Sequence, residues 1–151
     1  MARTQTRNPD RRWGDILLLF LDDRGIAAAN AAVFGRAEPT DTLSQPYAPE
    51  PADGGRWSAE VLINAERARR EGSRRAGGPA RELALYLAHA CQHLAGDEDA
   101  TPAARRRMRA RENAWLREAA GAGLLRGLCG RPVHRVGKKR NPRAQPRRGL
   151  A

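Results

Sequence analysis

The chain is poor in what small extracellular folds and membrane proteins are built from. It has two cysteines, Cys91 and Cys129, in 151 residues, so no disulfide framework is available. Nothing at the start reads as a secretory leader, and a reducing, cytoplasmic setting is expected. The longest apolar stretch, Ile16 to Leu21, falls far short of the roughly 20 residues a membrane helix needs. A soluble protein with no membrane partner is expected, working as a monomer. Aromatic residues are scarce, at 5% of the chain. At this length a single core can form without a structural metal, so a bound metal would serve chemistry rather than folding.

Acidic residues are missing from one region in particular. Nine of the 28 lysines and arginines lie from Arg126 onward with no aspartate or glutamate among them. The remaining 19 basic residues face 17 acidic ones, so a nearly neutral body carries a cationic tail. The tail contains Pro132, Pro142 and Pro146 and few large apolar residues, so residues 126–151 read as a disordered basic segment. Binding to a polyanion is its natural use, because each cation placed on a phosphate releases counterions; Lys138, Lys139 and Arg140 are its densest cluster. A tail that only solubilises is the plain alternative.

Residues 1–14 form a polar, arginine-rich segment, and residues 15–125 read as the folded domain. Ile16 to Leu21, bounded by Asp15 and Asp22, reads as a buried strand. Asp22 and Asp23 can cap a helix from Arg24 to Phe34 that stops at Gly35. A short strand is expected near Leu43 and Ser44, and a second clear one from Trp57 to Ile63. Asn64 is placed to cap a helix from Ala65 to Glu71, with a linker from Gly72 to Pro79. A third helix spans Ala80 to Ala95 and is ended by Gly96; Cys91, inside its apolar run, is expected in the core. Thr101 and Pro102 open a fourth helix reaching Ala120, with Met108, Trp115 and Ala119 on its apolar side. The expected fold is α/β in the broad sense (α+β): a small mixed sheet packed by helices, with the candidate site on a central helix.

That site is His89-Ala-Cys-Gln-His93-Leu-Ala-Gly96-Asp-Glu-Asp99. Residues four apart on a helix share a face, so both imidazoles can grip one ion. The reversal at Gly96 lets one of Asp97, Glu98 or Asp99 return as a third ligand, leaving a position open for water as in catalytic zinc. A helix end that merely carries histidines is the alternative. The zinc-protease motif puts a glutamate directly after its first histidine. Ala90 stands there, so a peptidase would lack its base unless Asp97 or Glu98 served.

The same stretch resembles the signature of the YbeY endoribonuclease family, His-Gly-x-x-His-Leu-x-Gly-Tyr-Asp-His. Three further stretches agree in order. Asn30 followed by Pro39-Thr-Asp-Thr-Leu-Ser44 is similar to the family's Asn and Pro-Thr-Asp-Val-Leu-Ser; Ala59 to Asn64 resembles its Gly-Asp-Ile-x-Ile-Ser; Arg107-Met108 through Glu112 resembles its last helix. The resemblance covers about Ile16 to Leu125. It implies a single-strand-specific, metal-dependent endoribonuclease acting on ribosomal RNA, in maturation of the 3′ end of the 16S RNA and in ribosome quality control. Its partners would be ribosomal RNA and the ribosome or its small subunit. Zinc, one ion per chain, would be held by His89, His93 and Asp99, which are also the catalytic residues through the water the ion activates.

Asp99 stands where most of the family has histidine, and its charge should leave that water less acidic than an all-histidine site would. Phe34 stands where many members have an arginine; Arg36 is the nearby substitute, and Thr40 and Ser44 are candidate RNA contacts. The strand and long helix that usually precede the first strand have no counterpart in the polar residues before Asp15. Either the fold is trimmed, with exposed apolar surface on the sheet as the expected consequence, or the true start lies upstream. A non-catalytic ribosome-associated RNA-binding protein with a degraded metal site is the competing reading.

Overall fold

A computed structural model describes residues 11–130; the tail cations Lys138, Lys139 and Arg140 lie outside them. The elements run β1 (Arg12–Leu21), α1 (Asp23–Phe34), β2 (Thr42–Tyr47), a short 3-10 turn (Pro51–Asp53), β3 (Arg56–Asn64), α2 (Ala65–Gly72), α3 (Gly78–Leu94) and α4 (Pro102–Gly121). The three strands form a mixed sheet in the order β1-β3-β2, with β1 parallel and β2 antiparallel to the central β3. The fold is α+β, a small sheet packed by four helices.

Side-chain alternation on β3 decides where the core lies. Ala59, Val61 and Ile63 point to one face and are buried with Ala68 of α2 and Leu83, Tyr86, Ala90 and Leu94 of α3. Removing each large aliphatic side chain from water contributes about 1.5–3 kcal/mol, which makes β3 and α3 the axis of the domain. Ser44 on β2 reaches the same helix, its hydroxyl donating to the Ala90 carbonyl at 3.4 Å. β2 runs through Pro46, which an edge strand tolerates because a ladder donor is not needed on its outer side.

The first strand departs from expectation. The spacing predicts a buried strand, yet Ile16 is 49%, Leu17 51% and Phe20 52% exposed. Their register with Ala59, Glu60 and Ile63 is regular; what differs is the cover. β1 lies at the sheet edge, and α3 packs against β2 and β3. Apolar side chains on both faces of β1 therefore stay in water. Cys91 is also corrected: it is exposed, because the buried side of α3 passes through Ala90 and Leu94 and turns Cys91 outward. On α4 the buried line is Met108, Glu112 and Leu116, turned from the expected stripe of Met108, Trp115 and Ala119.

Asn64 ties the site side of the fold together. It is fully buried, accepts the Arg67 amide at 2.8 Å as the cap of α2, and donates to the Asp23 carboxylate at 2.7 Å and the Thr40 carbonyl at 3.0 Å. Its own amide donates to the Asp41 carbonyl at 2.9 Å. One side chain thus fixes the start of two helices and the loop entering β2. Among the described residues no helix is long and apolar enough to cross a membrane.

Asn64→Ala should cost about 2 kcal/mol or more in urea unfolding, since the cap and two further partners are lost together. Ile63→Ala should cost roughly 2–5 kcal/mol, whereas Leu17→Ala should cost under about 1 kcal/mol, because half of that side chain is already in water.

Candidate metal centre

The site begins with how α3 ends. Ala95 is its C-cap and Gly96 takes a left-handed φ of 86°, a conformation that side chains other than glycine rarely adopt. The Gly96 amide donates to the His93 carbonyl at 2.9 Å and the Asp97 amide to the Gln92 carbonyl at 2.9 Å. This is the paired 5→2 and 6→1 closure of a Schellman turn, which folds the chain back beside the last turn of the helix. Asp97 is buried and its carboxylate pairs with Arg111 of α4. The backbone carbonyl of Asp99 accepts from Arg105 of the same helix at 2.8 Å. Two arginines of α4 thus clamp the loop in its returned position.

The result is a cluster of His89, His93 and Asp99 whose ligand atoms all lie within 4.8 Å of one another, all three residues half-buried. Of the three adjacent acids, Asp99 is the one whose carboxylate joins the histidines. Asp97 is turned to Arg111 and Glu98 is exposed.

The hydrogen bonds on the far sides of the two rings fix their chemistry. Nδ1 of His89 lies 2.8 Å from Glu112 Oε1, and Nδ1 of His93 lies 3.1 Å from the Asp97 carbonyl. Both partners can only accept when Glu112 is ionised, so both Nδ1 atoms carry the proton. The lone pairs of the neutral rings then sit on the Nε2 atoms, which face each other at 3.1 Å across rings set nearly perpendicular. Two opposed lone pairs repel unless a positive charge lies between them. A proton on one Nε2 supplies it, and so does a metal ion.

The donor set fits a divalent ion: two imidazole nitrogens and one carboxylate, each histidine oriented by a second partner. A tetrahedral ion with bonds near 2.1 Å separates two ligands by roughly 3.4 Å, close to the observed spacing. Glu112 is the site residue that local motif reasoning misses as a functional group. The signal for it is a glutamate one turn beyond Met108 on the buried line of α4. Its hydrogen bond raises the His89 pKa above the usual 6.5; partial burial opposes this, and the charges of Asp41 and Asp99 add to the rise. A buried carboxylate therefore favours the cationic state of the ring that faces the second histidine.

His89 and Asp99 of the cluster open on a cleft of about 360 Å³ between α2, α3 and α4. Asp41, Tyr86 and four arginines, Arg67, Arg75, Arg105 and Arg109, line it together with His89, Asp99 and Glu112. Burial, with the charge of Glu82 next, pushes the Tyr86 hydroxyl up to about 12, so it stays a neutral donor. The other expected contacts are placed differently. Arg36 is exposed and is not part of this lining. Thr40 donates to the Asp41 carboxylate at 3.0 Å, and Ser44 is turned to Ala90. Their hydroxyls hold the loop and strand in place.

The sequence model of the family described as Endoribonuclease YbeY matches residues 2–120. The chain belongs to the YbeY family. Relatives bearing the name Endoribonuclease YbeY include one from Chlamydia abortus, 31% identical over 105 residues that make up 67% of this chain and 66% of the relative. Another, from Anaeromyxobacter dehalogenans, is 35% identical over 123 residues, 78% of this chain and 61% of the relative. A third, from Myxococcus xanthus, is 32% identical over 106 residues, 69% of this chain and 36% of the relative. The chain thus spans between about a third and two thirds of the length of these curated relatives. The YbeY match contains the whole cluster, from the histidines of α3 to Glu112 of α4.

Glu112→Gln should weaken metal binding about 10–100-fold, measured by competition with a chelating dye, because the partner that orients His89 loses its charge. pH gives a second check. A raised folded pKa contributes stability that is complete below the unfolded value near 6.5 and is lost as pH rises through the folded value. In metal-free protein the Tm should therefore decline as pH rises above about 6.5, and less so in Glu112→Gln. Metal affinity should run the opposite way and rise with pH, since ion and proton compete for one site.

Proposed function

We propose that this chain is a zinc-dependent endoribonuclease that cuts single-stranded RNA and acts in ribosomal RNA processing. The 3′ end of 16S RNA is the expected site of action, with a part in ribosome quality control. What supports this most directly is the opposed Nε2 pair of His89 and His93 with the Asp99 carboxylate beside it, at the mouth of a cleft lined by arginines. Family membership supports the choice of RNA phosphodiesters over peptides, and the alanine after His89 removes the glutamate a zinc peptidase would use.

His89, His93 and Asp99 would hold the ion. When bound, such an ion lowers the pKa of a water and offsets charge developing on the scissile phosphate. The chain's own groups do the rest. Glu112 and the Asp97 carbonyl keep both rings in the tautomer that presents Nε2. The Arg111 and Arg105 clamps keep the Asp99 loop against α4, so the ligand set needs little rearrangement. Guanidinium groups along the cleft attract and orient the RNA backbone. The cationic segment from Arg126 onward adds sequence-blind affinity, and its partner is ribosomal RNA in the small subunit, in the cytoplasm.

A non-catalytic RNA-binding role is the second reading, favoured by the aspartate at position 99 where the family signature has histidine. Metal analysis and RNA cleavage separate the two. The full chain should hold about one zinc and cut a single-stranded RNA while sparing a duplex; His93→Ala should lose the metal and at least a hundredfold of the rate. A folded, metal-free chain that binds RNA without cutting it would instead support the second reading. Removing residues 126–151 should lower RNA affinity and flatten its salt dependence while leaving the metal content unchanged.

A further inference from the structure

The arginines of the cleft are not equivalent. Arg75 is engaged with Glu82, at 2.5 Å, and with Glu71, at 3.8 Å. Arg105 is spent on the carbonyls of Asp99 and Ala100, at 2.8 and 3.5 Å, where it holds the ligand loop. Arg67 reaches the Pro39 carbonyl at 3.5 Å while its amide serves the cap of α2. Most acids of the lining are committed as well: Glu71 and Glu82 to Arg75, Glu112 to His89, Asp41 to Thr40 and the Thr42 amide. Arg109 alone among these four has no hydrogen bond or ion pair within the described residues, and its side chain is exposed at the cleft.

Its place on α4 gives that freedom a direction. Arg109 stands four residues after Arg105 and three before Glu112, so the three share one side of the helix. Its neighbours on that side hold the Asp99 loop and the His89 ring, the two halves of the ligand set. An unpaired guanidinium in the cleft that His89 and Asp99 also line presents five donors in a fork that matches two oxygens of a phosphodiester.

We infer that Arg109 is the residue that grips the RNA phosphate at the metal centre, through a bidentate contact made in the bound complex. This deepens the nuclease reading and rests on it. Arg105 and Arg111 serve the loop, and Arg109 serves the substrate. The helix that orients the ligands therefore also sets where the phosphate lies relative to them.

The test uses the full chain and a labelled 12-nucleotide single-stranded RNA. Affinity is measured against salt with metal chelated away, and cleavage is measured with zinc restored. Arg109→Gln should weaken binding about tenfold at 0.1 M salt, reduce the salt slope by about 0.7, and slow cleavage at least tenfold. Arg109→Lys should recover the salt slope but only part of the rate, because a point charge replaces the fork. Metal content and Tm should match the parent in both, since the side chain has no partner to lose. Arg106→Gln, an exposed position of α4 outside the cleft lining, is the control for bulk charge and should change affinity less than twofold. Equal behaviour of Arg109→Gln and Arg106→Gln, with a parent that cuts RNA, would overturn the assignment and leave the nuclease reading standing. A parent that neither binds nor cuts the RNA would overturn both.

Discussion

Two imidazole nitrogens face each other at 3.1 Å, and the hydrogen bonds on the far sides of both rings keep them there. The arrangement is costly by itself. It persists in a fold only if something positive sits between the rings, or if a proton is held on one of them. Glu112 acts on both possibilities. By accepting from Nδ1 of His89 it fixes the tautomer that an ion requires, and it also favours the imidazolium when no ion is present. A bound metal would compete with a proton for one position, and a single carboxylate would couple pH to metal binding.

The fold supports this point from two sides. The sheet and α3 form the fixed side, with β3 buried against the helix that carries both histidines. The other side is α4, which contributes little apolar surface of its own and much of the site's polar framework. Glu112 sets one ring, Arg111 and Arg105 pin the returning loop, and Gln92 of α3 donates to the Met108 carbonyl at 3.1 Å to hold the two helices in register. An arginine-rich helix would read as a solvated surface by composition alone; here Arg105 and Arg111 hold the returning loop, and Arg109 has no partner among the described residues. The edge strand β1 is the opposite case. Its apolar run from Ile16 to Phe20 is largely exposed at the sheet edge.

Much of this was legible in the sequence where a local rule sufficed. The caps at Asp22, Asn64 and Thr101 bond as the sequence predicts, because each depends on a side chain and an amide three residues on. Gly96 was legible as a helix stop for a similar reason, since few other residues accept its backbone angle. The likeness of His89–Asp99 to the YbeY signature carried the family. What was not legible depended on how elements pack. Whether Ile16 to Phe20 is covered depends on which strand lies at the edge and how far α3 reaches. Cys91 turned outward because one residue rotates a helix position by about 100°. Arg109 and Arg105 are chemically identical in the sequence, and only the position of the Asp99 carbonyl separates them.

The central claim is that the point between the two Nε2 atoms is a cation site shared by a proton and one metal ion. Its most direct measurement is a zinc titration of the chelated protein near pH 6.5, following metal uptake and proton release together. The account predicts one ion per chain, with protons released as it binds, both abolished in His93→Ala. Uptake without proton release, or stoichiometric binding that survives His93→Ala, would contradict it.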